Sequence, residues 1–353
     1  MTTPLRIHFV TLPELNITVP LARVLLARGM PVDINKVFEK LQADAARYFI
    51  HVLPQEADVF VYSHDCQIGF GAHQALTLAN KFDKQCIFFS TGDGSLPSGL
   101  HQGIVFRESL VRSRRQSNEF PMPPFVRDPK WAGVPFECRG HNERPRLGFC
   151  GYVGTTLQTM LYSAMGRNEK VAGLRVRRRA LDVLRRSDSF ECLFIERNQY
   201  WGGAVRLNRA RLDRVMSRVT GRAPSTASID QEVAERVYRE FIVNMSETDY
   251  NVCIRGQGNY SYRFFETLAA GRVPYLIDTD CVLPFESYID WANHIAVVPE
   301  QNVDEADRFL RRFHGALSPA AFEKLQSANR ALFEFYFEPL GFYINMFRMV
   351  LGR

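Results

Sequence analysis

The stretch Tyr250-Asn-Val-Cys-Ile-Arg-Gly-Gln-Gly-Asn-Tyr-Ser-Tyr-Arg-Phe-Phe-Glu-Thr-Leu-Ala-Ala-Gly-Arg-Val-Pro-Tyr-Leu-Ile-Asp278 reads as strand, glycine-bearing loop, helix, glycine stop and strand. Gly256 and Gly258 let the backbone bend sharply and approach a ligand, and the N–H groups that open the following helix suit a phosphate. Arg255 stands at the end of the first strand and Arg263 in the first helical turn. Arg263 and Glu266, three residues apart, share one helix face, while Phe264 and Leu268 fall on the face that packs on a sheet. A cation beside phosphates with a carboxylate one turn deeper meets the needs of a nucleoside diphosphate: charge for the pyrophosphate, an acceptor for the ribose hydroxyls. The other reading, an Arg263–Glu266 ion pair on a surface helix, stays open at this point.

Working outward, strands and helices alternate. Arg6–Thr11, Asp58–Ser63 and Gln85–Ser90 read as strands, with helices at Thr18–Arg28 and Gln67–Phe82. Short apolar strands separated by helices imply a parallel, doubly wound sheet covered on both faces. The proline-dense segment Glu119–Pro129 excludes helix or central strand and marks the approach to a boundary. A second α/β unit opens at Leu147-Gly-Phe-Cys-Gly-Tyr-Val-Gly154, followed by long basic helices. Its further strands fall at Cys192–Glu196, Asn251–Ile254, Val273–Ile277 and Ile295–Val298, its further helices at Gln231–Asn244, Tyr262–Ala270 and Pro319–Phe337. The 353-residue length fits two domains of roughly 150 residues each. The expected division is 1–143, 144–337 for the nucleotide-binding unit, and an amphipathic helix in 338–353 that packs back on the first. Two such units facing each other across a cleft bind ligands at the strand C-termini.

Apolar residues make up 46% and charged residues 23% of the chain, which excludes a disordered protein. Nowhere do about 18 apolar residues run together, and Pro13 and Glu14 interrupt the first apolar stretch, so neither a spanning helix nor a secretion signal is expected. Seven scattered cysteines without CxxC spacing argue against a disulfide framework or a zinc site and read as reduced thiols in a cytoplasm. The net charge is +6, with arginines massed at 112–115, 175–186 and 206–218. Such runs serve either as solvated helix faces or as contacts to an anionic partner. A phosphorylated ligand or an anionic membrane surface fits better than nucleic acid, since no nucleic-acid-binding signature accompanies them.

The pattern Arg255-Gly, Ser261-x-Arg-Phe-x-Glu-x-Leu-x-x-Gly-x-x-Pro274 and Leu283-Pro-Phe-Glu-x-x-x-Asp-Trp291 resembles the C-terminal signature of the exostosin domain, glycosyltransferase family 47. The similarity is strong from Asn251 to Glu300. It is weaker at Cys86-Ile-Phe-Phe-Ser-Thr-Gly-Asp-Gly94, at Phe125–Pro129 and at Leu147–Gly154. The resemblance implies a GT-B fold of two Rossmann-like domains and an inverting transfer from a nucleotide-sugar donor, a UDP-sugar in the first instance. The acceptor it implies is a glycan or lipid-linked saccharide in cell-surface polysaccharide assembly. It further implies a donor site formed by Arg255, Gly256, Gly258, Asn259, Ser261, Arg263 and Glu266, with no cofactor beyond the donor itself. No membrane anchor is read in this chain, unlike the family's animal and plant members, so a compact bacterial or viral type is implied, working in the cytoplasm with peripheral contact to an anionic inner membrane face.

An inverting transfer needs a base near the acceptor hydroxyl and positive charge on the leaving diphosphate. Base candidates lie just past strand ends of the first unit: Asp93 in Thr91-Gly-Asp-Gly94, Asp65 in Ser63-His-Asp65, and His64 as a third, with Asp93 preferred. Each of these also suits an ordinary turn or cap. Asp278-Thr-Asp280 spells a DxD, but as a turn after a strand it is read as structural, and no metal site is expected. Glu286 and Trp291 are read as fold-maintaining as readily as ligand-contacting. Two rivals remain: a non-catalytic binding protein for an acidic glycan or nucleotide, and a nicotinamide-dependent dehydrogenase. The second lacks G-x-G-x-x-G followed by an acidic residue about twenty positions on.

Overall fold

The computed structural model describes residues 3–26, 36–67, 71–199 and 231–352. The third arginine run, at 206–218, lies outside them, as do the end of the helix expected over Thr18–Arg28 and the start of the one expected over Gln67–Phe82. The N-terminal half builds a sheet from β1 (Leu5–Val10), β2 (Phe49–His51), β3 (Val59–Asp65), β4 (Cys86–Ser90), β5 (Ile104–Arg107) and β6 (Glu119–Pro121), in the order β2-β1-β3-β4-β5-β6. Every named pairing is parallel. Val59–Asp65 and Cys86–Ser90 are buried at every position, as strands covered on both faces must be. Glu119–Pro121, in the proline-dense segment, forms the outermost strand, where the missing proline N–H does no harm.

The second sheet comprises β7 (Arg146–Tyr152), β8 (Glu191–Arg197), β9 (Tyr250–Cys253), β10 (Val273–Asp278) and β11 (Ala296–Pro299), ordered β11-β10-β9-β7-β8 and again parallel. Counted within its own unit this is the doubly wound order 2-1-3-4-5, whose reversal point between β7 and β9 opens a crevice at the strand C-termini. The fold is therefore two doubly wound α/β sheets in the GT-B-like arrangement expected. Helices α1 (Pro20–Leu25), α2 (Glu39–Tyr48) and α3 (Gly71–Lys81) belong to the N-terminal half; in the second, α4 (Thr156–Ala164) leads into α5 (Asn168–Arg186), which with the helix Tyr262–Ala269 frames the crevice.

The last helix, Pro339–Leu351, returns to the first sheet. Phe347 meets Phe49, Tyr343 meets Phe89, and Phe342 meets Phe106, with ring centroids 5.3, 6.1 and 6.1 Å apart. One apolar core consequently joins β1, β3 and β4 to Phe264, Phe285 and Trp291 of the second half. Trp291 stacks on Phe337 and donates to the Pro284 carbonyl, a core role.

Across this junction Asp128 accepts two hydrogen bonds from Arg330, at 2.9 and 2.7 Å. Burial pushes the Asp128 carboxyl up, but the Arg330 hydrogen bonds and charge and the Lys130 amide outweigh it and hold the group below its ordinary value. A depressed carboxyl contributes stability above its unfolded pKa, near 4, and loses it as pH falls through the folded value. Asp128→Asn should destabilise the protein by about 1–3 kcal/mol at neutral pH, because it removes the buried anion that Arg330 holds and leaves only the half-exposed Glu334 to answer its charge. The deficit should shrink on acidification below about pH 4, as denaturant melts across that range will show.

Candidate active site

A cleft of about 290 Å³ opens at the reversal point of the second sheet. Its floor is Phe149 and Gly151 of β7 with Val252 and Ile254 at the end of β9. One side is α5, through Lys170, Gly173 and Arg177; the other is the loop Gly256–Ser261 with Tyr262, Arg263 and Glu266 of the helix that follows. Asp93 of the N-terminal half closes the top.

The glycines set the width. A Cβ at Gly173 would lie 2.3 Å from the Gly256 carbonyl oxygen, so only glycine lets α5 approach the loop. A Cβ at Gly258 would meet the Tyr260 ring at 2.5 Å and the Asp93 Oδ1 at 2.9 Å, so Gly258 lets the two halves touch.

Arg263 donates to the Cys150 carbonyl and lies over the rings of Phe149 and Phe241, 5.2 and 5.1 Å from their centroids. Its Nη1 is buried without a partner. Glu266, one turn deeper, has no hydrogen bond or ion pair through its side chain among the described residues. The Arg263–Glu266 ion pair considered from sequence does not form. Burial pushes the Glu266 carboxyl up to about 7, against the nearby Arg263 charge. The helix opens without a side-chain cap at Ser261, which lines the cleft.

Arg255 takes another place than expected. It is buried, donates at 2.7 Å to Glu169 and at 2.9 Å to the Gln257 carbonyl, and braces the loop from behind instead of facing the cleft. Asn259 likewise turns away. Its N–H donates to Ser109 Oγ at 2.9 Å, and its side chain donates to the Leu110 and Asp280 carbonyls and accepts from Thr279, stapling the two halves together.

Of the base candidates, only Asp93 reaches the cleft, where it accepts from the Tyr260 hydroxyl at 3.3 Å. Asp65 is committed to the Thr91 N–H and hydroxyl and the Gln67 N–H, each at 2.9 Å; it shapes the Asp93 loop and presents no free oxygen pair to a substrate. His64 is buried with both nitrogens engaged, Nε2 accepting from Leu12 N–H and Nδ1 donating to the Asn16 carbonyl. The Asp93 loop is held further by the buried Arg107–Glu119 pair, which binds the Gly94 carbonyl and the Ser98 N–H. Asp278 and Asp280 cap Cys281 and Ser113 N–H groups, a turn-forming use of the DxD. Glu286 pairs with Arg112 and Arg115 across the junction.

Sequence reading missed Lys170, Arg177 and Tyr260 in the cleft and Glu108 beside it. Arg177 belongs to a run that reads as well as a solvated helix face, yet it ties the Tyr152 and Arg255 carbonyls together inside the cleft, and Lys170, one turn or two before that run, lines the same wall. Tyr260 bonds to both Asp93 and Glu108, and burial, reinforced by Asp93 and Asp65, pushes Glu108 up to about 7 despite that hydrogen bond. Only the length of the β4–β5 connection hinted at a built loop there.

No family model matches the chain, the exostosin domain included, so that resemblance stays confined to its motif residues. No curated protein matches it either. Solved structures do. A glycosyltransferase from Rickettsia africae ESF-5 is similar over 99% of each chain at 13% identity and a TM-score of 0.40. The rhamnosyltransferase SpnG, solved with thymidine diphosphate, is similar over 98% of this chain and 100% of its own, at 11% and 0.36. TarM is similar over 88% of this chain, at 11% and 0.38, and only 57% of its length is covered. Likeness at this level assigns no activity, and the fold rests on the strand orders.

Gly173→Ala should shift α5 or the Gly256 loop and cost about 1–3 kcal/mol in stability. Melting temperature and a crystal structure of the variant will show whether the cleft widens as the displaced carbonyl requires.

Proposed function

We propose that the chain is an inverting glycosyltransferase that moves a sugar from a nucleotide-diphospho-sugar, a UDP-sugar in the first instance, to a hydroxyl of a growing cell-surface glycan. One observation carries this reading: Arg263 with its unpartnered Nη1 and the unpartnered Glu266 line the same cleft as Asp93 from the opposite half. In this reading the diphosphate lies against Arg263, Lys170 and the uncapped helix start at Ser261, where charge and N–H groups stabilise it as a leaving group. Glu266 accepts from the ribose hydroxyls. Asp93 takes the proton of the acceptor hydroxyl as that oxygen attacks the anomeric carbon and the bond to the diphosphate breaks. Tyr260 orients Asp93. Positive charge comes from side chains and the helix, so the reading needs no metal ion.

Calorimetry with UDP-, GDP- and CMP-sugars, followed by turnover assays with the binder, tests the reading; binding without turnover would favour a non-catalytic binding protein. Arg263→Ala should weaken nucleotide binding by about 1.5–3 kcal/mol. Because Glu266 must be ionised to accept two hydroxyl donors, affinity for UDP should rise from about pH 6 to about pH 8. Glu266→Gln should flatten that rise and leave pyrophosphate binding unchanged. Equal losses for UDP and pyrophosphate would remove the ribose role.

A further inference from the structure

The arginine runs expected to meet a membrane are largely answered within the chain. Arg112 and Arg115 hold Glu286, Arg179 holds Asp304, Arg185 holds Glu196, and Arg177 and Arg178 bond to backbone carbonyls. The surface that stands out instead is α4. Its Leu157, Met160 and Leu161, with Met165 at its C-cap, are 66%, 64%, 53% and 58% exposed. Their spacing of three, four and eight residues puts them on one face. A surface helix ordinarily turns such a stripe inward. Here the buried position is Thr159, which accepts from Arg178 and donates to the Thr155 carbonyl, so a polar network anchors the helix and the apolar face is left outside.

Charge says what this face meets. No carboxylate occurs from Val153 to Asn168, and the stripe ends at exposed Arg167. The first acid beyond it, Glu169, is taken up by Arg255 at 2.7 Å and faced at 3.9 Å by Arg114, itself 56% exposed. An apolar stripe about 14 Å long, bordered among the described residues by cations and by no unanswered anion, complements an anionic lipid surface: apolar side chains enter the headgroup boundary while arginines meet phosphates. A protein partner would need no such one-signed border.

We propose that α4 is a membrane-docking helix, seating Leu157, Met160, Leu161 and Met165 in an anionic bilayer with Arg167 and Arg114 at the headgroups. The helix directly follows β7, whose Tyr152 lines the cleft, and precedes α5, whose Lys170, Gly173 and Arg177 line it too. Docking thus holds the cleft mouth at the lipid surface. That placement rests on the glycosyl-transfer reading, and it names the acceptor class as a saccharide on a lipid carrier.

The test uses the full chain with vesicles of phosphatidylcholine alone or mixed with phosphatidylglycerol. The wild type should cosediment with the anionic vesicles, and raised salt should weaken the association without abolishing it, since the apolar part is not screened. The triple substitution Leu157→Ser, Met160→Ser, Leu161→Ser should lower partitioning about tenfold or more. It should keep its melting temperature and UDP affinity, since the replaced side chains face outward. Equal binding of variant and wild type, loss of binding only on Arg112→Ala with Arg115→Ala, or no wild-type binding at low salt would overturn the proposal. So would wild-type dimers that the triple variant converts to monomers without any lipid association. UDP affinity, measured in parallel, reports on the glycosyl-transfer reading separately: vesicle binding without nucleotide binding leaves the docking helix standing and removes the lipid-linked acceptor.

Discussion

Asn259 is the constraint on which the cleft depends. It sits between the glycine loop of the second sheet and the β5 exit of the first, and its amide, side-chain nitrogen and side-chain oxygen are all engaged: two of the four bonds cross to Ser109 and Leu110, and two tie it to Asp280 and Thr279 of its own half. At 2% exposure none of those groups can exchange its partner for water. The interlock fixes how far Asp93 stands from Gly258 and hence the distance between the walls. The Val111–Cys281 bridge and the Glu286 pairs extend the same seam. Each half builds its sheet from its own strands, but the site belongs to the contact between them.

A second layer of buried polar bonds shapes each wall. On the N-terminal side, Asp65, Arg107 and Glu119 bind the backbone of the loop 91–98, so Asp93 is presented by neighbours that face away from the cleft. On the other side, Arg255 and Arg177 hold the loop 255–258 from behind and across. Preorganised polar groups of this kind keep charged side chains aimed at a ligand without rearrangement on binding. Two carboxyls are shifted upward by burial, Glu266 in the cleft and Glu108 behind Tyr260.

The fold and half of the site were legible because their signals are local. Arg263 and Glu266 could be placed on one face from helical spacing alone, and the strands Val59–Asp65, Cys86–Ser90 and Val273–Asp278 announce themselves as apolar runs. Arg255 and Asn259 are donor-site residues by the family resemblance, with Arg255 also at a strand end. Their true partners, Glu169 and Ser109, lie 86 and 150 residues away and leave no mark on local pattern. Lys170 and Arg177 were hidden for the opposite reason: a basic helix looks the same whether its cations meet water or a cleft. The strands Ile104–Arg107 and Glu119–Pro121 are too short to carry a period.

The return of the helix Pro339–Leu351 to the first sheet has a consequence for how the protein is made. Phe49, Phe89 and Phe106 are covered by residues from the far end of the chain. During synthesis the N-terminal sheet must wait, with these rings uncovered, until residues 339–351 have emerged. Long-range closure of this sort slows folding and exposes apolar surface to chaperones or aggregation in the interval. The two halves are therefore one cooperative unit in biogenesis even though they are two in architecture.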